Sequence, residues 1–117
     1  MATKRSHAAQ VRAARQHQHQ QGDVTLERIA ALPAAARKPA GRVLAHGEVT
    51  GHAHRLTDSS DGLLVEIGGQ LYLSVGAGGA EIAHEEHGAV KLEPGDYRVG
   101  RIQEYDHFAE EARRVAD

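Results

Sequence analysis

From Arg42 to Leu56 the chain alternates polar and apolar residues with a period of two, in RVLAHGEVTGHAHRL. Successive side chains of a strand point to opposite faces. One face of such a segment carries His46, Glu48, Thr50, His52 and His54, and the other carries Val43, Ala45, Val49 and Ala53. The pattern predicts a strand with an unusually polar side. GLLVEIGGQLYLSVG predicts two short strands, Leu63 to Ile67 and Gln70 to Val75, joined by a tight turn at Gly68-Gly69. Gly76 to Gly79 reads as a loop. AEIAHEEHGAVKL reads as further strand with a break near Gly88, and the Pro94-Gly95-Asp96 turn opens a strand from Tyr97 to Gln103.

Helical spacing is confined to the flanks. Asp23 is placed to cap a short helix running through Leu32, with Leu26, Ile29 and Ala30 on one side and Pro33 at its end. Asp106 is placed to cap a second helix over His107 to Ala116, anchored by Phe108, Ala112 and Val115. Between Thr3 and Gln21 Val11 is the only sizeable apolar residue, so this stretch has no face to bury and is expected to be disordered. The predicted organisation is a disordered basic Gln/His-rich tail over residues 1–22, a short helix and linker over 23–40, and a β-rich domain with a C-terminal helix over 41–117. The expected fold is mainly β: a small antiparallel β-barrel or a two-sheet sandwich, with a short N-terminal helix and a C-terminal helix.

Composition narrows the chemistry more than the fold. With one Phe, three Tyr and no Trp in 117 residues, the core has little aromatic bulk, and homo-oligomerisation or a bound metal would help to stabilise it. There is no Cys, which excludes disulfides, thiolate metal sites and cysteine nucleophiles. No apolar run approaches the roughly 20 residues of a membrane span, and no secretory signal is recognised, so the expected location is the cytoplasm. The net charge of −2 conceals an asymmetry. Residues 1–42 hold eight Lys or Arg against Asp23 and Glu27, whereas residues 43–117 hold six against fourteen acids. Lys4, Arg5, Arg12 and Arg15 would allow the tail a weak, non-specific nucleic-acid contact, or would simply solubilise it.

Two clusters carry candidate chemistry. His52 and His54, two apart on a strand, place both imidazoles on one side about 7 Å apart along the backbone, close enough to share an ion. Glu48 on the same face is a natural third ligand or an orienter of an imidazole. The blander account of this face is a solvated strand surface. The second cluster, His84-Glu85-Glu86-His87, is not the metalloprotease pattern, because its histidines are three apart rather than four. A helical turn would point His84 and His87 the same way; an ideal strand would point them apart unless a bulge intervenes, and an exposed polar loop is the alternative to both.

Taken together, the clusters suggest one shared site in which His52, His54, His84 and His87 hold a divalent metal: zinc, manganese, iron or nickel. Glu48, Glu85 or Glu86 would act as a further ligand or as a general base on metal-bound water. An open coordination position would mean hydrolytic or oxygen chemistry, and a closed one a structural ion. Two other readings remain: a non-enzymatic interaction module of a phage or mobile element, with the basic tail for nucleic acid or an acidic partner, and a histidine pH sensor.

The HxH of His52-Ala53-His54, with Asp58 or Asp61 after it and the Pro94-Gly95 turn further on, partly resembles the cupin metal barrels. That resemblance implies a β-barrel with a His/Glu metal centre. No His follows Pro94-Gly95 at the family's distance, and His84 and His87 precede that turn. The order GEVTGHAH, HEEH, Pro94-Gly95-Asp96-Tyr97 and Gln103-Glu104-Tyr105 is also similar to small uncharacterised bacterial and phage proteins, a likeness that implies a single site without naming a reaction.

Overall fold

The computed structural model describes residues 18–47 and 49–102. These residues form ten strands: β1 (Gln18–Gln21), β2 (Val24–Ile29), β3 (Lys38–Pro39), β4 (Val43–His46), β5 (Ala53–Leu56), β6 (Gly62–Ile67), β7 (Gln70–Val75), β8 (Ala80–Ala83), β9 (Val90–Leu92) and β10 (Gly95–Arg101). They build two antiparallel sheets, one in the order β1-β2-β10-β7-β6-β3 and the other in the order β4-β5-β8-β9. Neither sheet closes on itself, so the two-sheet alternative holds and the barrel does not. There is no helix among the described residues, and hence none long and apolar enough to cross a membrane.

One core lies between the sheets. Val24, Leu26, Leu64, Leu73, Val75, Tyr97 and Val99 enter it from the larger sheet, and Leu44, Leu56, Ala80, Ile82 and Leu92 from the smaller. Tyr97 is fully buried, and its hydroxyl donates to the Glu93 carbonyl at 2.7 Å, so its polar end is satisfied. The β6–β7 hairpin matches its sequence pattern closely. Gly68 and Gly69 have φ of 57° and 81°, the left-handed pair that a two-residue type I′ turn requires.

The helix expected from Asp23 to Leu32 is instead β2, which lies inside the larger sheet between β1 and β10. Val24 and Leu26, two residues apart, both point into the core, a period of two that the helical reading of Leu26, Ile29 and Ala30 passed over. A short isolated helix is marginal. Pairing with β10, in the register that sets Leu26 opposite Val99, runs the length of the segment and satisfies the backbone groups on that edge. β1 then adds to β2 through the Gly22-Asp23 turn, taking Gln18–Gln21 from the stretch expected to be disordered. The β-rich unit therefore begins well before residue 41. The expected helix over residues 107–116 and the basic part of the tail lie outside the described residues.

The alternating segment from Arg42 to Leu56 is likewise not one strand. It folds back as the β4–β5 hairpin, in which the Gly47 N–H donates to the His52 carbonyl at 2.8 Å and the His52 N–H to the Val49 carbonyl at 3.0 Å. Gly51 at the turn has a φ of 86°. Glycine at this position lets the chain reverse where an unbroken period of two had suggested continuation. His46 now pairs with Ala53, and Ala45 with His54, so His46 falls on the face opposite His54 and is exposed.

Candidate functional site

β5 positions the first histidines. His52, His54 and Leu56 share one side of the extended chain, and that side faces the core: His54 is 2 % exposed and Leu56 3 %. A buried imidazole needs partners for its nitrogens. His54 Nδ1 lies 2.8 Å from Gln21 Oε1, while Gln21 Nε2 donates to the carbonyls of Ile82 and Gly88, both at 2.9 Å. With both amide hydrogens committed to carbonyls, the Gln21 oxygen can only accept. His54 therefore carries its proton on Nδ1, and in the neutral ring the lone pair is on Nε2. That nitrogen is 3.5 Å from Asp23 Oδ1. The other carboxylate oxygen of Asp23 accepts from Arg101 Nε at 3.1 Å and Nη2 at 2.7 Å.

The second cluster is a turn. The strand expected to run on through the HEEH segment stops at Ala83, the end of β8. His84 Nδ1 then accepts the backbone N–H groups of Glu86 at 3.0 Å and His87 at 3.3 Å, which curls the chain tightly. This removes the choice that an ideal strand would force between the two histidines. The ring of His84 lies 4.3 Å from that of His54, 4.7 Å from that of His87 and 5.8 Å from that of His52, and His87 stacks on His54 at 5.9 Å with planes 13° apart. All four histidines singled out in the sequence thus converge. His87 also explains Gly22, where an added Cβ would lie 2.6 Å from His87 Nε2 and the backbone has a φ of 57°.

Of the carboxylates named with them, Glu85 joins the cluster, Glu86 is exposed in the turn, and Glu48 lies outside the described residues. Glu85 Oε2 accepts the Ala53 N–H at 2.9 Å and lies 4.0 Å from His84 Nε2, and its Oε1 accepts from Arg55 at 3.2 Å. One ligand atom each from His52, His84 and Glu85 fall within 4.8 Å of one another. His52 Nδ1 is buried and has no hydrogen-bond partner among the described residues.

The electrostatics follow from this packing. Burial pushes the His54 imidazole below its ordinary pKa and the neighbouring His84 pushes it further, while Asp23 opposes both. Burial raises the Asp23 carboxyl, but the Arg101 hydrogen bonds and charge outweigh that and hold it below the usual range. The Ala53 N–H holds Glu85 low as well, which suits a permanently charged ligand better than a proton acceptor.

Gln21, Asp23 and Arg101 were not assigned to the histidine clusters from the sequence, where Asp23 was read as a helix cap. The signal available was Gly22-Asp23, a two-residue hairpin dipeptide followed by the β-type alternation Val24-Thr25-Leu26. A hairpin there places Gln21 and Asp23 side by side at the turn.

The chain is an antiparallel two-sheet β protein whose histidine cluster is buried at His54, half-buried at His52 and His84 and exposed at His87. A family model described as "Domain of unknown function (DUF8820)" matches residues 20–102, and the chain belongs to that family. The matched span takes in Gln21, Asp23, Arg101 and all four clustered histidines. No curated protein and no solved structure matches the chain.

Proposed function

We propose that the protein binds a divalent metal ion at the histidine cluster, through His52, His84 and Glu85. The observation that carries this reading is the grouping of their ligand atoms within 4.8 Å, together with a buried His52 Nδ1 that has no partner among the described residues. A buried imidazole nitrogen without a partner is costly to maintain, and a metal ion would supply one. The all-nitrogen-and-oxygen donor set suits zinc, manganese, iron or nickel. Where the ion keeps a position open to water, it can lower the pKa of that water toward neutrality and support hydrolysis, with the exposed Glu86 as the nearby base.

Binding has a structural consequence at His84. Its Nδ1 is engaged by the turn, so in the neutral ring Nε2 bears the proton, and this ring becomes a ligand only by giving up its bonds to the Glu86 and His87 N–H groups. The test is titration of the metal-free protein with each of the four ions, followed by calorimetry and by amide NMR. Binding is expected with large shifts of the Glu86 and His87 amides, and with affinity at least about tenfold lower in His52→Ala and in Glu85→Gln. The reading is wrong if none of the ions binds, or if both variants bind as the wild type does.

A further inference from the structure

We infer that the cluster holds a second divalent-cation seat, between Asp23 Oδ1 on the β1–β2 turn and His54 Nε2 on β5. It uses none of the atoms of the His52, His84 and Glu85 group and stands or falls separately from it.

Two independent features prepare this seat. Gln21, fixed by the carbonyls of Ile82 and Gly88, accepts the proton of His54 Nδ1 and so leaves the Nε2 lone pair free. A hydrogen-bonded partner on the far nitrogen, setting tautomer and ring orientation, is the usual support of a metal-ligating histidine. On the other side, Arg101 engages only Oδ2 of Asp23, through two of its nitrogens, and leaves Oδ1 directed at His54. Each donor is thus held from behind.

The spacing fits an ion better than a proton. A charge-assisted N–H···O bond closes to about 2.7–2.9 Å. The observed separation is 3.5 Å, with the carboxylate restrained by Arg101. Metal–donor distances of about 2.0–2.2 Å across that separation subtend an angle of roughly 110°, close to tetrahedral. The histidine is buried and the carboxylate is 43 % exposed, so an ion enters from the Asp23 side and keeps its outer positions open to water or substrate. His87, stacked on His54 and lying against Gly22, borders the same turn.

Imidazole nitrogen NMR of the full chain, titrated with zinc alone, tests the seat. His54 Nε2 is expected to move on saturation while its Nδ1 keeps the chemical shift of a protonated nitrogen, and Asp23→Asn is expected to weaken that step at least about tenfold. His52→Ala should leave the His54 response in place. An unmoved His54 Nε2 in the wild-type protein at saturating zinc overturns the inference without recourse to any variant. So does a response that Asp23→Asn leaves unchanged. A single zinc bound per wild-type chain, with a His54 response that survives both His52→Ala and Glu85→Gln, would leave this seat standing and remove the first.

Discussion

On one side of β5, Leu56 and His54 are neighbours in the same core-facing row and are almost equally buried, at 3 % and 2 % exposure. Around Leu56 the interior is apolar, filled by Leu44, Leu64, Leu73, Ala80 and Ile82, and its stabilisation scales with the surface removed from water. Around His54 the same depth of burial is maintained only by named hydrogen bonds: Gln21 to the ring, and Gln21 in turn to two backbone carbonyls. This end of the molecule is a piece of core turned polar. It tolerates shape changes less by packing than by loss of partners, and it keeps nitrogen lone pairs where a hydrophobic core would have none.

The largest effect that would sharpen this contrast is in the apolar region. Leu73→Ala, at a fully buried position, is expected to lose about 2–5 kcal/mol in denaturant unfolding while zinc affinity of the folded protein stays unchanged. A parallel loss of zinc affinity would show that core and cluster are one mechanical unit. Gln21→Ala comes next. It strands His54 Nδ1 and the Ile82 and Gly88 carbonyls, with an expected cost of about 1–3 kcal/mol and, unlike Leu73→Ala, a weakened response of His54 to zinc. A Gln21→Ala protein as stable as the wild type would break the claim that hydrogen bonds maintain this end.

The smallest expected effect is on pH dependence in the presence of chelator. The folded-state pKa of His54 lies below its ordinary 6.5, so the unfolded chain binds more protons between the two values. The contribution of His54 is therefore at its full value above pH 6.5 and is lost as pH falls through 6.5 toward the lower folded value. Asp23 also has a lowered pKa, but its contribution is lost only below its ordinary 3.8, so the two windows are separable. Thermal unfolding should show a midpoint that declines below pH 6.5 in the wild type and declines less in His54→Leu. Identical profiles would place the acid sensitivity elsewhere.

Much of the site was legible in the sequence and rather less of its frame. His52, His54, His84, His87 and Glu85 are recognisable as two clusters because imidazoles and carboxylates at short spacing are chemically conspicuous. Their convergence depends on the β5–β8 pairing, which sets Arg55 opposite Ala83 and so brings the HEEH turn beside the HxH. Glu48 was placed on the histidine face by assuming an unbroken strand, and the β4–β5 hairpin removes the basis for that placement. Asp23 was read as a helix cap because the Leu26, Ile29, Ala30 spacing fits a helix as well as Val24, Leu26 fits a strand. Short segments carry too few positions for periodicity alone to decide between them.

The β6–β7 hairpin follows from the local sequence alone, where two glycines permit little but a type I′ turn, and the absence of cysteine excludes thiolate chemistry whatever the fold. Tertiary structure decided that β2 is a strand, because β10 offered a ladder that a lone segment could not provide for itself. It also decided which nitrogen of His54 bears the proton. That depends on Gln21, thirty-three residues away along the chain, whose amide is oriented by two carbonyls brought to it only when the sheets meet.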